Sequence, residues 1–233
     1  MFEEYNTIIY FDTETTGLDA EKCRVIELAA IQYIKSGSGW VRCGEMDALI
    51  NLPEGEHIPE KIVELTHITD DMLEAHGIPE EQAVKLFASF MIGNTLLIAH
   101  NIQFDINFLS YMFIRSAREQ IVLITKADYL DTLTVSKDRK CFPHKLENMI
   151  DYYNLSDRCQ NSHRAIDDVI ALQLVTESLA DERDDLDRYI NIFGYNPKYG
   201  ISGKEFKKVT YLRQPYQNIG LVPSDTILPT RIA

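Results

Sequence analysis

Thr7-Ile-Ile-Tyr-Phe11 is an unbroken run of β-branched and aromatic residues, and it stops abruptly at Asp12-Thr13-Glu14. Such a run reads as a strand buried on both faces of a sheet. Side chains two apart on a strand point the same way, so Asp12 and Glu14 project together from the strand's end. Two carboxylates held that close repel each other unless a cation lies between them. Asp-x-Glu by itself is more often the entry to a polar turn. Placed after this strand and before Thr15-Thr-Gly17, it points instead to a metal site.

The same reading extends along the chain. Val25 to Ile34 and Trp40 to Leu52 predict a second and third strand, with Ser36-Gly-Ser-Gly39 as the hairpin loop between them. Pro59 and Pro79 each precede a Glu at the first turn of a predicted helix. Thr95 to Ala99 predicts a fourth strand, followed by a helix from about Gln103 to Ser116, and Ile121 to Ile124 predicts a fifth strand. Leu146, Met149, Ile150 and Tyr153 mark one face of an amphipathic helix, and a longer helix runs from about Ala165 to Asp184. Three strands in succession, then alternating helices and strands, give an α/β fold: a mixed sheet covered by helices.

Two further acids stand out on these helices. In the last one Asp168 shares a stripe with Ala165, Leu172, Val175 and Leu179, which would bury it among aliphatic groups. Burying a carboxylate without a partner costs several kcal/mol, which a metal would offset. The bland alternative is a first-turn acid favoured by the helix dipole. Asp167 lies about 100° further round and is expected to be solvated. Asp105, in His100-Asn-Ile-Gln-Phe-Asp105, follows the fourth strand on a face with Leu109 and Met112, again with a first-turn acid as the alternative. His163, just before the last helix, is unremarkable alone.

The chain's formal charge is −13. From Gly194 onward six Lys and Arg stand against two acids, so that tail is +4 and the preceding part −17. An acidic body argues against sequence-nonspecific DNA binding through a basic patch, yet suits an acidic cleft neutralised by divalent cations. The N-terminus lacks the order of a secretion signal, and no apolar run is long enough to span a membrane. Cys23, Cys43, Cys141 and Cys159 are widely spaced and form no CxxC pair, as expected of reduced thiols in a cytoplasm.

Together the motifs Phe11-Asp12-Thr13-Glu14-Thr15-Thr16-Gly17-Leu18, Ala99-His100-Asn101-Ile102-Gln103-Phe104-Asp105 and His163-Arg164-Ala165-Ile166-Asp167-Asp168 resemble those of the DEDDh (DnaQ-like) 3′→5′ exonucleases. The resemblance covers roughly residues 5 to 180. It implies an RNase H-like sheet in the order 3-2-1-4-5. It also implies two-metal hydrolysis, with Asp12, Glu14, Asp105 and Asp168 holding a pair of Mg²⁺ or Mn²⁺ ions and His163 as general base. Thr13, Thr15, Thr16, His67, Asn101 and Phe104 are expected to hold the terminal nucleotide. Phe104 is read equally well as a core aromatic. Arg164 stands where a tyrosine-type relative would carry Tyr, which marks the histidine subtype.

The implied partner is the 3′ end of single-stranded DNA, with DNA polymerase subunits as candidate assembly partners. The pattern looks most like the polymerase III epsilon subunit and replicative-polymerase exonuclease domains. An RNA-trimming enzyme similar to oligoribonuclease or ribonuclease T shares all five residues. A decayed, purely binding module would have lost one of them. Residues 1–193 are read as the exonuclease domain and 194–233 as a basic, irregular extension. In that extension Ser202 to Tyr211 has the pattern of a hairpin arm, and its positive charge suits docking on the chain's own acidic body (the favoured role), contact with substrate phosphates, or a partner. Gln217-Asn-Ile-Gly-Leu221 is too weak a match to a clamp-binding motif to be read as one.

Overall fold

Five strands form the central sheet: β1 (Thr7–Thr15), β2 (Val25–Ser36), β3 (Gly39–Leu49), β4 (Thr95–Ala99) and β5 (Asp128–Asp131), in the order β3-β2-β1-β4-β5. These are coordinates of a computed structural model and describe residues 2–37, 39–159 and 164–214. β1 runs antiparallel to β2, and β2 to β3, whereas β1, β4 and β5 are parallel. The C-terminal ends of β1, β4 and β5 therefore share one edge of the sheet. The expected 3-2-1-4-5 order is the one observed.

The strands alternate faces with period two, and this alternation sorts the core into two layers. Ile8, Tyr10, Ala29, Ile31, Leu96 and Ile98 face one layer, closed by α7 (Leu146–Tyr152) and α8 (Ala165–Glu182). Ile9, Phe11, Leu28, Ala30, Leu97 and Ala99 face the other, closed by α3 (Glu80–Phe90) and α4 (Ile102–Ser116). A small third cluster of Ile26, Ile58, Ile68 and Leu73 seats α1 (Glu60–Thr66) and α2 (Asp70–His76) against β2. Pro59 and Pro79 stand immediately before α1 and α3, as their fixed φ favours.

The fifth strand is not where the apolar run placed it. Ile121 to Ile124 opens α5 (Ile121–Lys126), and the strand is Asp128-Tyr-Leu-Asp131. Four apolar residues carry too little periodicity to separate strand from helix. Val122 points to solvent while Ile124 is buried, which is a helical pattern. The strand itself has only two apolar residues between aspartates. α6 (Thr132–Arg139) follows it directly.

Residues 191–214 carry more regular structure than their composition suggests. β6 (Ile192–Tyr195) pairs in parallel with β7 (Thr210–Arg213), so Ser202 to Tyr211 is not a hairpin arm. β6 also runs across the boundary read at Gly194. Phe206 and Tyr211 pack on the α3/α4 layer, and Lys208 pairs with Asp128 at 2.8 Å. As far as residue 214, the extension lies against the acidic body. Residues 215–233, including Gln217 to Leu221, lie outside the described residues.

Candidate metal centre

Alternation along β1 decides which acid meets which helix. Asp12 and Glu14 continue the face of Ile8 and Tyr10 and so turn towards α8, where Asp168 lies on the buried stripe. Each of the three offers one carboxylate oxygen, and these atoms all lie within 4.8 Å of one another. Thr13 continues the opposite face and turns towards α4. Its hydroxyl donates to Asp105 Oδ1 at 2.7 Å. Asp105 is therefore held to β1 from the other side of the strand, still close enough that Asp12 raises its pKa.

The electrostatics fit a cation and little else. Burial first, then Asp12 and the other acids, push Glu14 up to about 9. Burial and then Asp12 push Asp168 up to about 8. Asp12 is raised by burial and by Glu27, and Asp105 by burial and Asp12. Among the described residues Asp168 Oδ1 is buried and accepts no hydrogen bond. An orphaned buried carboxylate oxygen beside two more carboxylates is a donor set for a hard divalent cation. The residues present fit such an ion.

The remaining expected residues fall into place unevenly. Thr15 and Thr16 brace the turn after β1. The Thr15 hydroxyl donates to the Gly17 carbonyl at 2.7 Å, and Thr16 Oγ1 accepts from Arg24 N at 2.9 Å. Asn101 is exposed just before α4 with φ 74°, the left-handed conformation that Asn tolerates best among non-glycine residues. Phe104 is half-buried and lies tilted against Phe108, ring centroids 4.8 Å apart. His67 is exposed at the C-cap of α1 with φ 59°. No hydrogen bond or ion pair among the described residues joins His67 to the carboxylates. Asp167 is half-buried rather than solvated. His163 lies outside the described residues.

Two acids that shape the site were not singled out from the sequence. Glu27 stands opposite Glu14 in the β1/β2 register and is fully buried. It accepts from Arg164 Nε at 2.8 Å and from the Ala165 backbone N at 2.8 Å, fixing the start of α8 three residues before Asp168. Its signal was available: a charge inside Val25-Ile-Glu-Leu-Ala-Ala-Ile31 must find a partner or not be buried. Asp131, at the end of β5, accepts from Asn101 N at 2.9 Å and Leu133 N at 3.1 Å. It thereby caps α6 while holding the turn into α4. That double use cannot be read from a strand ending in Asp.

Comparison with known proteins agrees with this geometry. A family model described as Exonuclease (RNase_T) matches residues 9–176. A DNA polymerase III PolC-type protein of Lacticaseibacillus paracasei is 35% identical over 179 residues, 75% of this chain but 11% of that protein. The DNA polymerase III subunit epsilon of Treponema pallidum is 29% identical over 180 residues, 76% of this chain and 78% of that protein. The chain thus spans about a tenth of the length of its PolC-type relatives. Among solved structures, E. coli Exonuclease I in complex with a dT13 oligonucleotide superposes with a TM-score of 0.68 at 18% identity, covering 79% of this chain and 43% of that one. Exonuclease I from Methylocaldum szegediense gives 0.65 at 16% identity, covering 77% and 41%. At such identities the likeness is one of fold. With nearly three quarters of its length under the family model, and the acids of its motifs gathered at the end of β1, the chain belongs to the exonuclease family.

Proposed function

We propose that this chain is a metal-dependent 3′→5′ exonuclease that releases 5′-mononucleotides from the end of a single DNA strand, in the manner of a polymerase III epsilon-like proofreading or repair nuclease. The observation that carries the reading is the meeting of Asp12, Glu14 and Asp168 oxygens within 4.8 Å. The names of the relatives, DNA polymerase III components, and the oligonucleotide in the Exonuclease I structure support DNA over RNA. Polymerase subunits are the corresponding partners. A cytoplasmic location belongs to the same reading. No helix among the described residues is long and apolar enough to cross a membrane.

Asp12, Glu14 and Asp168, with Asp105 beside them, would hold Mg²⁺ or Mn²⁺. A pair of such ions supplies positive charge to the attacking and leaving oxygens of an in-line displacement and lowers the pKa of water. The protein's own residues do the positioning. Thr13 orients Asp105, Glu27 and Arg164 anchor the first turn of α8, and Asp131 fixes the turn at Asn101. A free imidazole has a pKa of about 6.5, which suits a histidine such as His163 to take a proton from water near neutral pH. Groups at Thr13 to Thr16, His67, Asn101 and Phe104 receive the terminal nucleotide.

The test uses 5′-labelled single-stranded DNA and RNA oligomers with Mn²⁺ or with EDTA. DNA should shorten from its 3′ end, only with metal. Asp12→Ala should lose most of the rate. His163→Ala should lose a large part of it while binding metal nearly as well. A wild-type rate in Asp12→Ala would defeat the mechanism, and a clear preference for RNA would replace the substrate.

A further inference from the structure

A cavity of about 210 Å³ lies between the start of α4 and the segment that follows β6. Asn101 and Gln103 line it from the start of α4, and Tyr195 and Tyr199 from the end of β6 and the segment after it. Its place on the sheet is what makes it informative. The parallel strands β1, β4 and β5 end on one edge, the carboxylates standing at β1, Asn101 just past β4 and Asp131 at β5. Neighbouring strands are about 4.8 Å apart, so the cavity begins within about 10 Å of the strand that carries Asp12.

We propose that residues 195–204 form a second wall of the nucleic-acid track, with Tyr199 as a stacking platform for a base inward of the terminal nucleotide and Lys198 as the partner of an adjoining phosphate. The proposal rests on the reading of the chain as an exonuclease for single strands.

The wall is built rather than draped. Gln103 Nε2 donates to the Ser202 and Lys204 carbonyls, both at 2.8 Å, and Gln103 Oε1 accepts from Tyr211 OH at 2.9 Å. Asn107 Oδ1, one turn on, accepts from Lys204 N at 3.0 Å. Between them Gly203 has φ +71°, and a Cβ there would come within 2.6 Å of Asn107 Nδ2. Glycine is required both by conformation and by contact. The first turn of α4, which carries Asp105, is thus clamped to the segment that carries Tyr199.

Tyr199 itself does not serve the packing. It is 71% exposed, whereas Tyr5, Tyr10, Tyr129 and Tyr189 are buried. Lys198 Nζ lies 5.0 Å from its ring centroid. An exposed ring paired with a cation, on the positively charged end of an acidic chain, suits a polyanion with planar bases. The family match ends at residue 176, before this segment.

Anisotropy of a fluorescent twelve-nucleotide dT oligomer on the full chain, with cleavage followed in the same preparation, tests this. Tyr199→Ala should weaken binding roughly 5- to 100-fold, and Tyr199→Phe should restore it, because stacking needs the ring and not the hydroxyl. Lys198→Glu, which leaves the ring in place, should weaken binding and reduce its salt dependence. Tyr152→Ala, an exposed tyrosine on α7, is the control and should change nothing. Unchanged affinity in Tyr199→Ala, with wild-type cleavage intact, overturns the wall and leaves the exonuclease reading standing. Failure of the wild-type chain to bind or cleave any strand overturns both. A loss in Tyr199→Ala that Tyr199→Phe does not recover overturns the stacking role.

Discussion

Thr13 donates its hydroxyl to Asp105 Oδ1 at 2.7 Å, joining residues 92 apart in the chain. The bond sets the division of labour along β1. Asp12 and Glu14 on one face meet Asp168, and Thr13 on the other reaches the acid of α4. A strand two residues wide in its repeat is enough to collect acids from helices on both sides of the sheet.

Replacing Thr13 by Val keeps the shape and removes the donor. Asp105 is nearly fully buried, so the loss should cost about 1–3 kcal/mol of stability. Activity should fall with it, while Thr13→Ser restores both. Urea unfolding and single-strand cleavage measured on the three proteins decide the matter. A Thr13→Val protein as stable as wild type would show that the bond is dispensable.

The carboxylate cluster should destabilise the metal-free fold. Asp168→Asn removes a carboxyl that must either stay protonated or bury its charge. In EDTA at pH 8 or above it should raise stability by on the order of 1 kcal/mol or more, seen as a higher melting temperature. The same variant should lose most of the thermal shift that Mn²⁺ gives the wild-type chain. Scanning calorimetry with and without Mn²⁺ reads both effects. If Asp168→Asn melts lower in EDTA and still responds fully to Mn²⁺, Asp168 is no ligand.

The pH dependence follows from the same groups. In the folded, metal-free chain Glu14 titrates near 9 and Asp168 near 8. Unfolded carboxyls titrate near about 4. Between those values the native state keeps protons that the unfolded state has released, so stability falls as pH rises. The stabilising contribution is complete below about pH 4 and is lost on passing through the folded values. Urea midpoints in EDTA at pH 5, 7 and 9 should decline more steeply for wild type than for a Glu14→Gln, Asp168→Asn double variant. Parallel profiles would refute the assignment.

Glu27 and Arg164 form a separable pair. Arg164→Met leaves Glu27 buried without a counter-charge and should destabilise by about 3 kcal/mol. Adding Glu27→Gln should recover a good part of that loss, because the stranded charge is gone and Glu14 loses an opposing acid. A double-mutant cycle with no coupling between the two positions would contradict the geometry.

By itself the sequence determined the strand that ends in Asp12 and Glu14, the shared face of those two acids, and the buried stripe that carries Asp168. These follow from local periodicity, which a chain cannot conceal: two residues per repeat in a strand and 3.6 in a helix. It also carried the motif order from which the 3-2-1-4-5 sheet and the exonuclease family were expected. What it did not carry were matters of register and contact between distant segments. The four-residue run Ile121 to Ile124 is too short to show a period, and only the folded chain shows it as a helix. Thr13 became a brace for Asp105, and Glu27 a partner of Arg164, because strand pairing put them opposite α4 and α8. Residues 202–204 are held in place because Gln103 and Asn107 satisfy their backbone. Such bonds join residues about a hundred positions apart, and only the folded chain decides which distant groups meet.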